Sequence, residues 1–408
     1  MDRSNKAFVI VDLAFGDCGK GAATDFLCRK YNAELVVLYT GGPQSAHNVV
    51  LPDGTHHTFA QFGSGSLIPS VKTHISRFRM VNPISMVNEE EYLRKIGVDN
   101  IFHRTTVDGR CLIVTPFDKA LNIIREQQRG KKAHGSCGMG IGETRLYHNT
   151  YFDDALFAED LKDRTTTRLK LKLKYVRAID VSKSLCISLP IDGSIINELS
   201  EQYMNWTYQI AIGSDYFLKY DLKEYINIIF EGSQGVLLDQ RDEFAPNNTW
   251  ADTTTANADT LLKEAGFDGD VVRVGCIRSY MTRHGAGPFN DCKELDTLPE
   301  PHNTDACFQG KFRRGYFDKS AVIKALDVCG GVDEIHMSHV DYLPKIHPGM
   351  TEQDIELFVR NVERFTETPI TVLGYGSTHE DRRERSKAFT ARRRSTEIRA
   401  GISCGATG

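Results

Sequence analysis

Short apolar runs alternate with amphipathic stretches along this chain, a pattern typical of α/β proteins. Residues 352–365 carry apolar positions at helical spacing, and a second helix is expected over residues 320–327. The runs that predict strands are residues 8–11, 35–38, 112–114, 226–230, 271–274, 334–336 and 370–373. Continuous apolar runs between helices favour parallel strands that are buried on both faces. The pattern therefore predicts an α/β fold with a mainly parallel central sheet and helices on both faces.

The domain organisation follows from where this alternation stops. A chain of 408 residues is long enough for one large domain with insertions, so we expect residues 1–381 to form a single α/β domain. Residues 153–220 are charged and helix-prone, and they predict an inserted helical subdomain. Residues 382–408 lack apolar periodicity, which predicts a polar C-terminal tail.

Composition narrows the class of protein. The net charge of −4 argues against a general nucleic-acid partner and against a membrane-surface partner. No apolar run approaches the ~20 residues that a membrane helix requires. The N-terminal segment lacks an apolar signal core, so a cytoplasmic location is expected. The 10 cysteines include no CxxC pair, which argues against structural zinc and against a disulfide framework.

A glycine-rich loop after the first predicted strand is the strongest candidate for a functional site. Residues 16–21 read Gly-Asp-Cys-Gly-Lys-Gly and precede a predicted helix. Backbone N–H groups, a helix N-terminus and Lys20 together form a cradle for phosphate. Asp17 would repel a bare phosphate, but it suits a site where it binds Mg²⁺ or accepts a proton from a substrate. The alternative is a tight turn with incidental charge.

Other polar residues follow the predicted strands. His47 can stabilise charge on a transferring phosphoryl group, although a lone histidine is more often structural. Gln234, just past a predicted strand, can read the edge of a base. Lys311, Arg313 and Arg314 either clamp an anion or belong to a charged surface. Together these residues describe a phosphate cradle with a carboxylate, a histidine, a base-reading amide and an anion clamp.

The glycine-rich motifs share their order with those of one family. They lie at residues 16–21, 41–48, 136–143, 230–235 and 280–289. The family's Gly-Asp-Glu-Gly-Lys-Gly is kept except for Cys18, and its Phe-Glu-Gly-Ala-Gln-Gly is kept except for Ser233. Its Ser-Thr-Arg-Val-Gly-Ala-Gly-Pro-Phe is close to the segment that contains Thr282-Arg283-His284-Gly285. On these motifs the chain resembles the adenylosuccinate synthetase family over about nine-tenths of its length.

The resemblance implies a ligase that joins L-aspartate to carbon 6 of a 6-oxopurine nucleotide, with Mg²⁺ as cofactor. ATP or GTP phosphorylates the purine 6-oxygen, and the aspartate amine then displaces phosphate. Asp17 is expected to be the general base at purine N1, and His47 to stabilise the transferring phosphoryl group. The family is dimeric, so a homodimer is expected. Arg145 is the nearest candidate for an arginine that reaches the partner's nucleotide.

The resemblance also implies contacts for each substrate. Those to the donor triphosphate are Gly16, Asp17, Cys18, Gly19, Lys20, Gly21, Ala46, Asn48, Arg314, His339, Asp341, Gly374, Tyr375 and Gly376. Those to the purine nucleotide are Gln44, Ser45, Ser136, Cys137, Gln234, Thr249 and Phe312. Lys311, Arg313 and Arg314 are expected to hold aspartate, and Asp17 and Ala46 to ligate Mg²⁺.

Several positions around the purine depart from the family pattern. Cys18 replaces Glu, Gln44 replaces Asn, Ala46 replaces Gly, Cys137 replaces Thr and Met139 replaces Arg. Phe312 aligns with an Arg that touches the ribose 2′-hydroxyl, and an apolar ring there tolerates deoxyribose better. These changes resemble the phage-associated 2-amino-2′-deoxyadenylosuccinate synthases, which take dGMP instead of IMP on the route to 2-aminoadenine DNA.

The preferred hypothesis is therefore a ligase acting on dGMP, located in the host cytoplasm if phage-encoded. Two alternatives stay open: an ordinary IMP-using adenylosuccinate synthetase, and a nucleotide-binding regulator without catalysis. Retention of Asp17, Lys20, His47 and Gln234 argues against the regulator. The donor is also open, because Asp341 can still read guanine whereas His339 replaces a family Lys.

Overall fold

The computed structural model describes residues 5–301, 303 and 310–386. The strands within these residues are β1 (Lys6–Asp12), β2 (Leu35–Leu38), β3 (His47–Val50), β4 (His56–Phe59), β5 (Lys72–Ile75), β6 (Thr105–Asp108), β7 (Ala211–Gly213), β8 (Asn227–Glu231), β9 (Asp270–Arg278), β10 (Met281–His284), β11 (Phe312–Gly315), β12 (Glu334–Ser338), β13 (Ile370–Gly374) and β14 (Arg382–Glu384). The α-helices are α1 (Lys20–Tyr31), α2 (Pro83–Lys95), α3 (Pro116–Arg129), α4 (Ile141–Thr150), α5 (Arg164–Ser184), α6 (Ile196–Thr207), α7 (Leu218–Glu224), α8 (Ala256–Ala265), α9 (Lys319–Cys329), α10 (Leu343–Ile346) and α11 (Glu352–Thr366).

A ten-stranded central sheet organises these elements. Its strands lie in the order β14-β13-β12-β9-β1-β8-β2-β5-β6-β7. Neighbouring strands are parallel except at the β13–β14 pair, which is antiparallel. Two antiparallel hairpins, β3 with β4 and β10 with β11, lie outside this sheet. The prediction of an α/β fold with a mainly parallel sheet is confirmed.

Strand β1 illustrates why both faces of the sheet are covered. Phe8 and Ile10 pack into an apolar core that includes side chains of α1, α2 and α3. Ala7 and Val9 pack into a second core with side chains of α7 and α8. Because alternate residues face opposite sides of a strand, burial on both faces requires an apolar residue at nearly every position.

One edge of the sheet differs from the prediction. Strands β5, β6 and β7 read Lys-Thr-His-Ile, Thr-Thr-Val-Asp and Ala-Ile-Gly, which are too polar or too short to stand out. The strand predicted at residues 112–114 is wrong. Leu112 and Ile113 form only isolated bridges, to Phe157 and Val81 respectively. Each bridge ends after one pair because the chain turns into α3, which Thr115 caps.

The structure also adds detail to the two predicted boundaries. Residues 153–220 contain α5 and α6, but also β7, which pairs with β6 at the sheet edge. The first residues of the predicted tail form β14, which pairs with β13. The rest of that tail, residues 387–408, lies outside the described residues. In the described part of the chain, no helix has the length and apolar character needed to cross a bilayer.

Candidate active site

One buried carboxylate, that of Asp12, shapes the loop between β1 and α1. Its oxygens accept hydrogen bonds from the N–H groups of Ala14, Gly16 and Cys18 at 3.0–3.1 Å. Lys20 Nζ lies 3.0 Å from the same carboxylate. Several N–H donors and a cation stabilise a buried carboxylate. Asp12 therefore sets the shape of the loop and pairs with its lysine. The sequence signal for this role was a single Asp ending an apolar strand.

Asp17 takes a different partner from Asp12. Its backbone carbonyl accepts a hydrogen bond from Arg278 Nε at 2.5 Å, and its Oδ2 lies 3.1 Å from His284 Nε2. Burial disfavours the charged form of Asp17. The hydrogen bond and charge of His284, together with the charges of Arg278 and Lys20, outweigh burial and lower the pKa of Asp17 to about 2. Burial also lowers the pKa of His284, yet the bond to Asp17 outweighs it and raises that pKa. Asp17 is therefore an anion beside a histidine whose protonated form is favoured.

His47, at the start of β3, is oriented by a second carboxylate. Its Nδ1 lies 2.6 Å from Glu231 Oε1, at the end of β8. Glu231 is fully buried and also accepts the N–H and the hydroxyl of Ser64. The carboxylate makes Nδ1 the donor. Nε2 is then left without a partner among the described residues, as the ring nitrogen available to a ligand.

Arg79, which the sequence did not single out, joins two loops of the site. It is 2% exposed and donates to the carbonyl oxygens of Thr40 and Gly42. It also donates to the hydroxyls of Ser45 and Ser233. Burial lowers the pKa of Arg79 to about 10, so the guanidinium stays charged at neutral pH. A buried charge with this many acceptors fixes the two loops relative to each other.

These loops surround a cavity of about 430 Å³, within the size range of small-ligand sites. The predicted residues that line it are Gly16, Asp17, Lys20, Gln44, Ser45, Ala46, His47, Ser136, Cys137, Gln234 and Thr249. It is also lined by residues that sequence reasoning missed, including Asn122, Arg125, Glu126, Arg129, His134, Trp250, His284 and Asn303.

Two glutamine amides in this lining contain buried atoms without a partner. Both amide atoms of Gln44 and the Oε1 of Gln234 have no hydrogen bond within the described part of the chain. Buried polar atoms are rarely left unpaired in native proteins. These atoms are suited to pair with the polar edge of a bound ligand.

Helix α3 holds the glycine-rich loop that contributes Ser136 and Cys137 to the cavity. Glu126 accepts hydrogen bonds from the N–H groups of Gly135 and Ser136 at 2.9 and 3.2 Å. Asn122 Oδ1 accepts the Ser136 hydroxyl at 2.8 Å. The loop is therefore held by side chains of a regular helix.

The remaining predicted residues lie outside the lining of the cavity. They are Cys18, Gly19, Gly21, Asn48, Lys311, Phe312, Arg313, Arg314, His339, Asp341, Gly374, Tyr375 and Gly376. A Cβ added to Gly19 would lie 3.5 Å from Ser338 Cβ, so the glycine-rich loop of residues 16–21 adjoins the segment that carries His339. Burial and Arg278 lower the pKa of His339 to about 3, which makes this imidazole neutral at pH 7.

The basic residues of β11 contact backbone groups. Arg313 and Arg314 each donate to a carbonyl oxygen, at 3.0 and 3.3 Å. Phe312 is buried, and its ring packs against the His284 imidazole with 4.7 Å between centroids. The structure places Phe312 behind His284 and not in the cavity wall, because β10 and β11 pair these two residues directly.

The oxygen donors at the cavity fit Mg²⁺ only if a bound nucleotide supplies phosphate oxygens as further ligands. No cluster of three or more His, Cys, Asp or Glu side chains forms a metal site among the described residues. Asp17 and Ala46 both line the cavity, and they can offer a carboxylate oxygen and a backbone carbonyl oxygen respectively. Mg²⁺ is commonly held by one or two protein oxygens together with phosphate oxygens and water. Asp17 and Ala46 match that donor set.

The comparisons with known proteins agree with this geometry. The model of the adenylosuccinate synthetase family matches residues 9–348. An adenylosuccinate synthetase from Thermoplasma volcanium is 31% identical over 360 residues, which are 84% of this chain and 77% of that protein. One from Shewanella amazonensis is 30% identical over 337 residues, 79% of this chain and 74% of that protein.

Two solved structures share the fold. The fully ligated adenylosuccinate synthetase from Plasmodium falciparum has a TM-score of 0.79 at 16% identity, covering 93% of this chain and 99% of that one. The succinoaminodeoxyadenylate synthetase of cyanophage S-2L, bound to dGMP and to dATP as energy donor, has a TM-score of 0.63 at 18% identity, covering 93% and 95%. From the family match and these relatives we conclude that the chain belongs to the adenylosuccinate synthetase family, carbon–nitrogen ligases that join aspartate to a purine nucleotide.

Proposed function

We propose that this ligase prefers dGMP to IMP and forms 2-amino-2′-deoxy-N6-succinyladenylate, the precursor of a 2-aminoadenine deoxynucleotide. In this reaction the γ-phosphoryl group of ATP or GTP passes to the purine O6. The aspartate amine then attacks C6, a C–N bond forms, and inorganic phosphate leaves with the former O6.

The residues around the cavity suit each part of this reaction. Asp17, whose Oδ1 has no partner among the described residues, accepts the N1 proton as the phosphoryl group reaches O6. His47, oriented at Nδ1 by Glu231, presents its Nε2 edge to the transferring phosphoryl group and stabilises its charge. Asp17 and Ala46 would hold Mg²⁺, which when bound would neutralise charge on the phosphates. Positioning and charge stabilisation are the main demands of phosphoryl transfer.

The preference for guanine rests on the unpaired amide oxygens of Gln44 and Gln234. Guanine carries a 2-amino donor that hypoxanthine lacks. An acceptor that pairs with this amine would be left unpaired by IMP, at a cost of about 1–3 kcal/mol. We therefore expect a preference for dGMP over IMP of roughly 10-fold to 100-fold in kcat/KM. The shared fold of the cyanophage enzyme bound to dGMP also supports this choice.

An ordinary IMP-using adenylosuccinate synthetase is the second candidate, favoured by the names of the curated relatives. Lys311, Arg313 and Arg314 are the proposed contacts for aspartate in both cases. Discrimination between dGMP and GMP should be weak, since Phe312 lies behind His284 and offers the ribose neither a partner nor a clash.

The decisive experiment compares kcat/KM for dGMP, GMP and IMP with aspartate, Mg²⁺ and either ATP or GTP. Phosphate release gives the rate, and mass spectrometry identifies the succinyl product. The variant Gln44→Asn, which restores the family residue, should lower the ratio of kcat/KM for dGMP to kcat/KM for IMP. A ratio below one in the wild type would make this an ordinary IMP enzyme. No release with any purine nucleotide would favour the regulator.

A further inference from the structure

We propose that His284 is a positioning residue for the ligase reaction, holding Asp17 Oδ2 so that Oδ1 is presented to the purine. This inference rests on the proposed function, because it concerns the step that uses Asp17. His284 Nε2 lies 3.1 Å from Asp17 Oδ2, and both side chains line the cavity. Asp17 Oδ1 has no hydrogen bond within the described part of the chain.

A carboxylate in this loop needs such a partner because a cation stands close to it. Lys20 belongs to the same loop and would attract an unrestrained Asp17. Instead Lys20 pairs with Asp12 at 3.0 Å, and Asp17 pairs with His284. Asp12 and Asp17 are thereby kept with separate partners. A fixed carboxylate costs less reorganisation when the substrate binds.

The imidazole is itself held from two sides. Phe312 faces His284 across the β10–β11 pair, with 4.7 Å between the ring centroids. Asn303 Oδ1 also lies 3.3 Å from Nε2, so the single N–H of this nitrogen is shared between Asn303 and Asp17. The family motif has Val where His284 stands, and Val carries no hydrogen-bond donor. The contact to Asp17 is therefore a property of this chain and not of the family motif.

The test compares His284→Val, which removes the donor, with His284→Gln, which keeps an amide N–H at similar reach. We expect His284→Val to lower kcat by about 10-fold or more, with the KM values for nucleotide and aspartate little changed. His284→Gln should recover most of that loss. His103→Val, at an exposed histidine, is the matched control. If His284 acts through Asp17, the double variant with Asp17→Asn should be no slower than Asp17→Asn alone.

A readout without turnover separates this inference from the proposed function. ¹⁵N-histidine NMR, assigned by the signal that His284→Gln removes, should show a proton on Nε2 and a shift in Asp17→Asn. Wild-type kcat in His284→Val, or no change of the NMR signal in Asp17→Asn, would overturn the inference while the ligase activity stood. No turnover of any purine nucleotide by the wild type would overturn the proposed function and the role of His284 with it, whatever the NMR shows.

Discussion

Asp12, at the end of β1, and Asp17, in the loop that follows, have different partners. Asp12 is buried and pairs with Lys20, whereas Asp17 reaches the cavity beside His284. His47 is oriented by Glu231 from the opposite direction. The chemistry of the site thus depends on which polar side chains pair with other side chains and which stay available to a ligand.

Removal of either candidate catalytic side chain should abolish most turnover. We expect Asp17→Ala and His47→Ala each to lower kcat by more than ~10²-fold, as general bases and charge stabilisers contribute on that order. Steady-state phosphate release measures the effect, and circular dichroism checks that the fold is retained. Asp53→Ala, at an exposed turn, is the control. Near-normal turnover in either variant would remove the family mechanism from this chain.

Glu300 pairs with Arg278, which in turn donates to the Asp17 carbonyl, and this pair should make the free energy of unfolding depend on pH. Burial disfavours the charge of Glu300, but Arg278 and Tyr280 outweigh it and lower the pKa of Glu300 to about 2. A carboxyl whose folded pKa is lowered stabilises the fold above its unfolded pKa, about 4.3, and loses this effect as the pH falls toward 2. We expect Glu300→Gln to lower the free energy of unfolding by about 3 kcal/mol at pH 7.

Urea denaturation of the wild type and Glu300→Gln at pH 7, 5 and 3.5 measures this difference. It should be constant from pH 7 to 5 and smaller at pH 3.5. Glu91→Gln, on the exposed side of α2, should show almost no difference at any pH. A difference for Glu300→Gln that is independent of pH would contradict the assigned pair with Arg278.

At the scale of elements, α3 links the helices of residues 153–220 to the site. Its Asp118 forms a capping box with the N-cap Thr115 and pairs with Lys174 of α5, whose Nζ lies 2.7 Å from Oδ1. Both side chains of this pair are almost fully buried. Further along the same helix, Glu126 holds the loop of Ser136. The position of that loop therefore depends on how α3 packs against α5.

Breaking the Asp118–Lys174 pair should cost both stability and binding. Lys174→Met leaves a buried carboxylate without its cation, which should lower the free energy of unfolding by about 3–5 kcal/mol. We also expect a higher KM for the purine nucleotide, as the loop of Ser136 loses its support. Lys172→Met, at an exposed position of the same helix, controls for the loss of one charge. Equal stability of the two variants would show that the pair contributes nothing.

At the scale of the whole molecule, the cavity rim carries exposed apolar surface. Leu146 and Trp250 line the cavity, yet they are 39% and 46% exposed. Arg145, next to Leu146 on α4, has no hydrogen bond or ion pair among the described residues. Large exposed apolar groups at a site rim are typical of surfaces that a partner covers. The homodimer expected from the sequence would cover this rim.

A homodimer in which Arg145 reaches the partner's nucleotide makes a specific prediction. Sedimentation velocity should show a dimer, and Leu146→Glu should weaken it by placing a charge in an apolar contact. Arg145→Ala and Asp17→Ala should each be inactive alone, while a mixture of the two should regain activity through heterodimers with one intact site. A wild type that sediments as an active monomer would rule this arrangement out.

Local sequence pattern was sufficient to predict the strands at the centre of the sheet and the glycine-rich loop of residues 16–21 after β1. Residues 8–11 and 35–38 form strands because apolar residues at every position suit burial on both faces. Gly16 to Gly21 could be recognised because their chemistry is carried by neighbours in the chain. His47 and Gln234 were singled out from their places after strand-like runs, and both line the cavity, while their roles stay predictions. The central strands and the glycine-rich loop depend on residues that are close in sequence, so local preferences and the tertiary fold agree there.

Tertiary structure alone decided the partners of these residues. His284 meets Asp17, and Arg79 joins Ser45 to Ser233, through contacts between segments far apart in sequence. Strands β5 to β7 form with polar residues because neighbouring strands supply their hydrogen bonds. Phe312 lies behind His284 because strand pairing set its direction, which no motif records. Local sequence pattern was enough to identify the available chemical groups and the central strands. Packing determined which groups face the cavity, because a buried charge can be placed only where distant segments provide its partners.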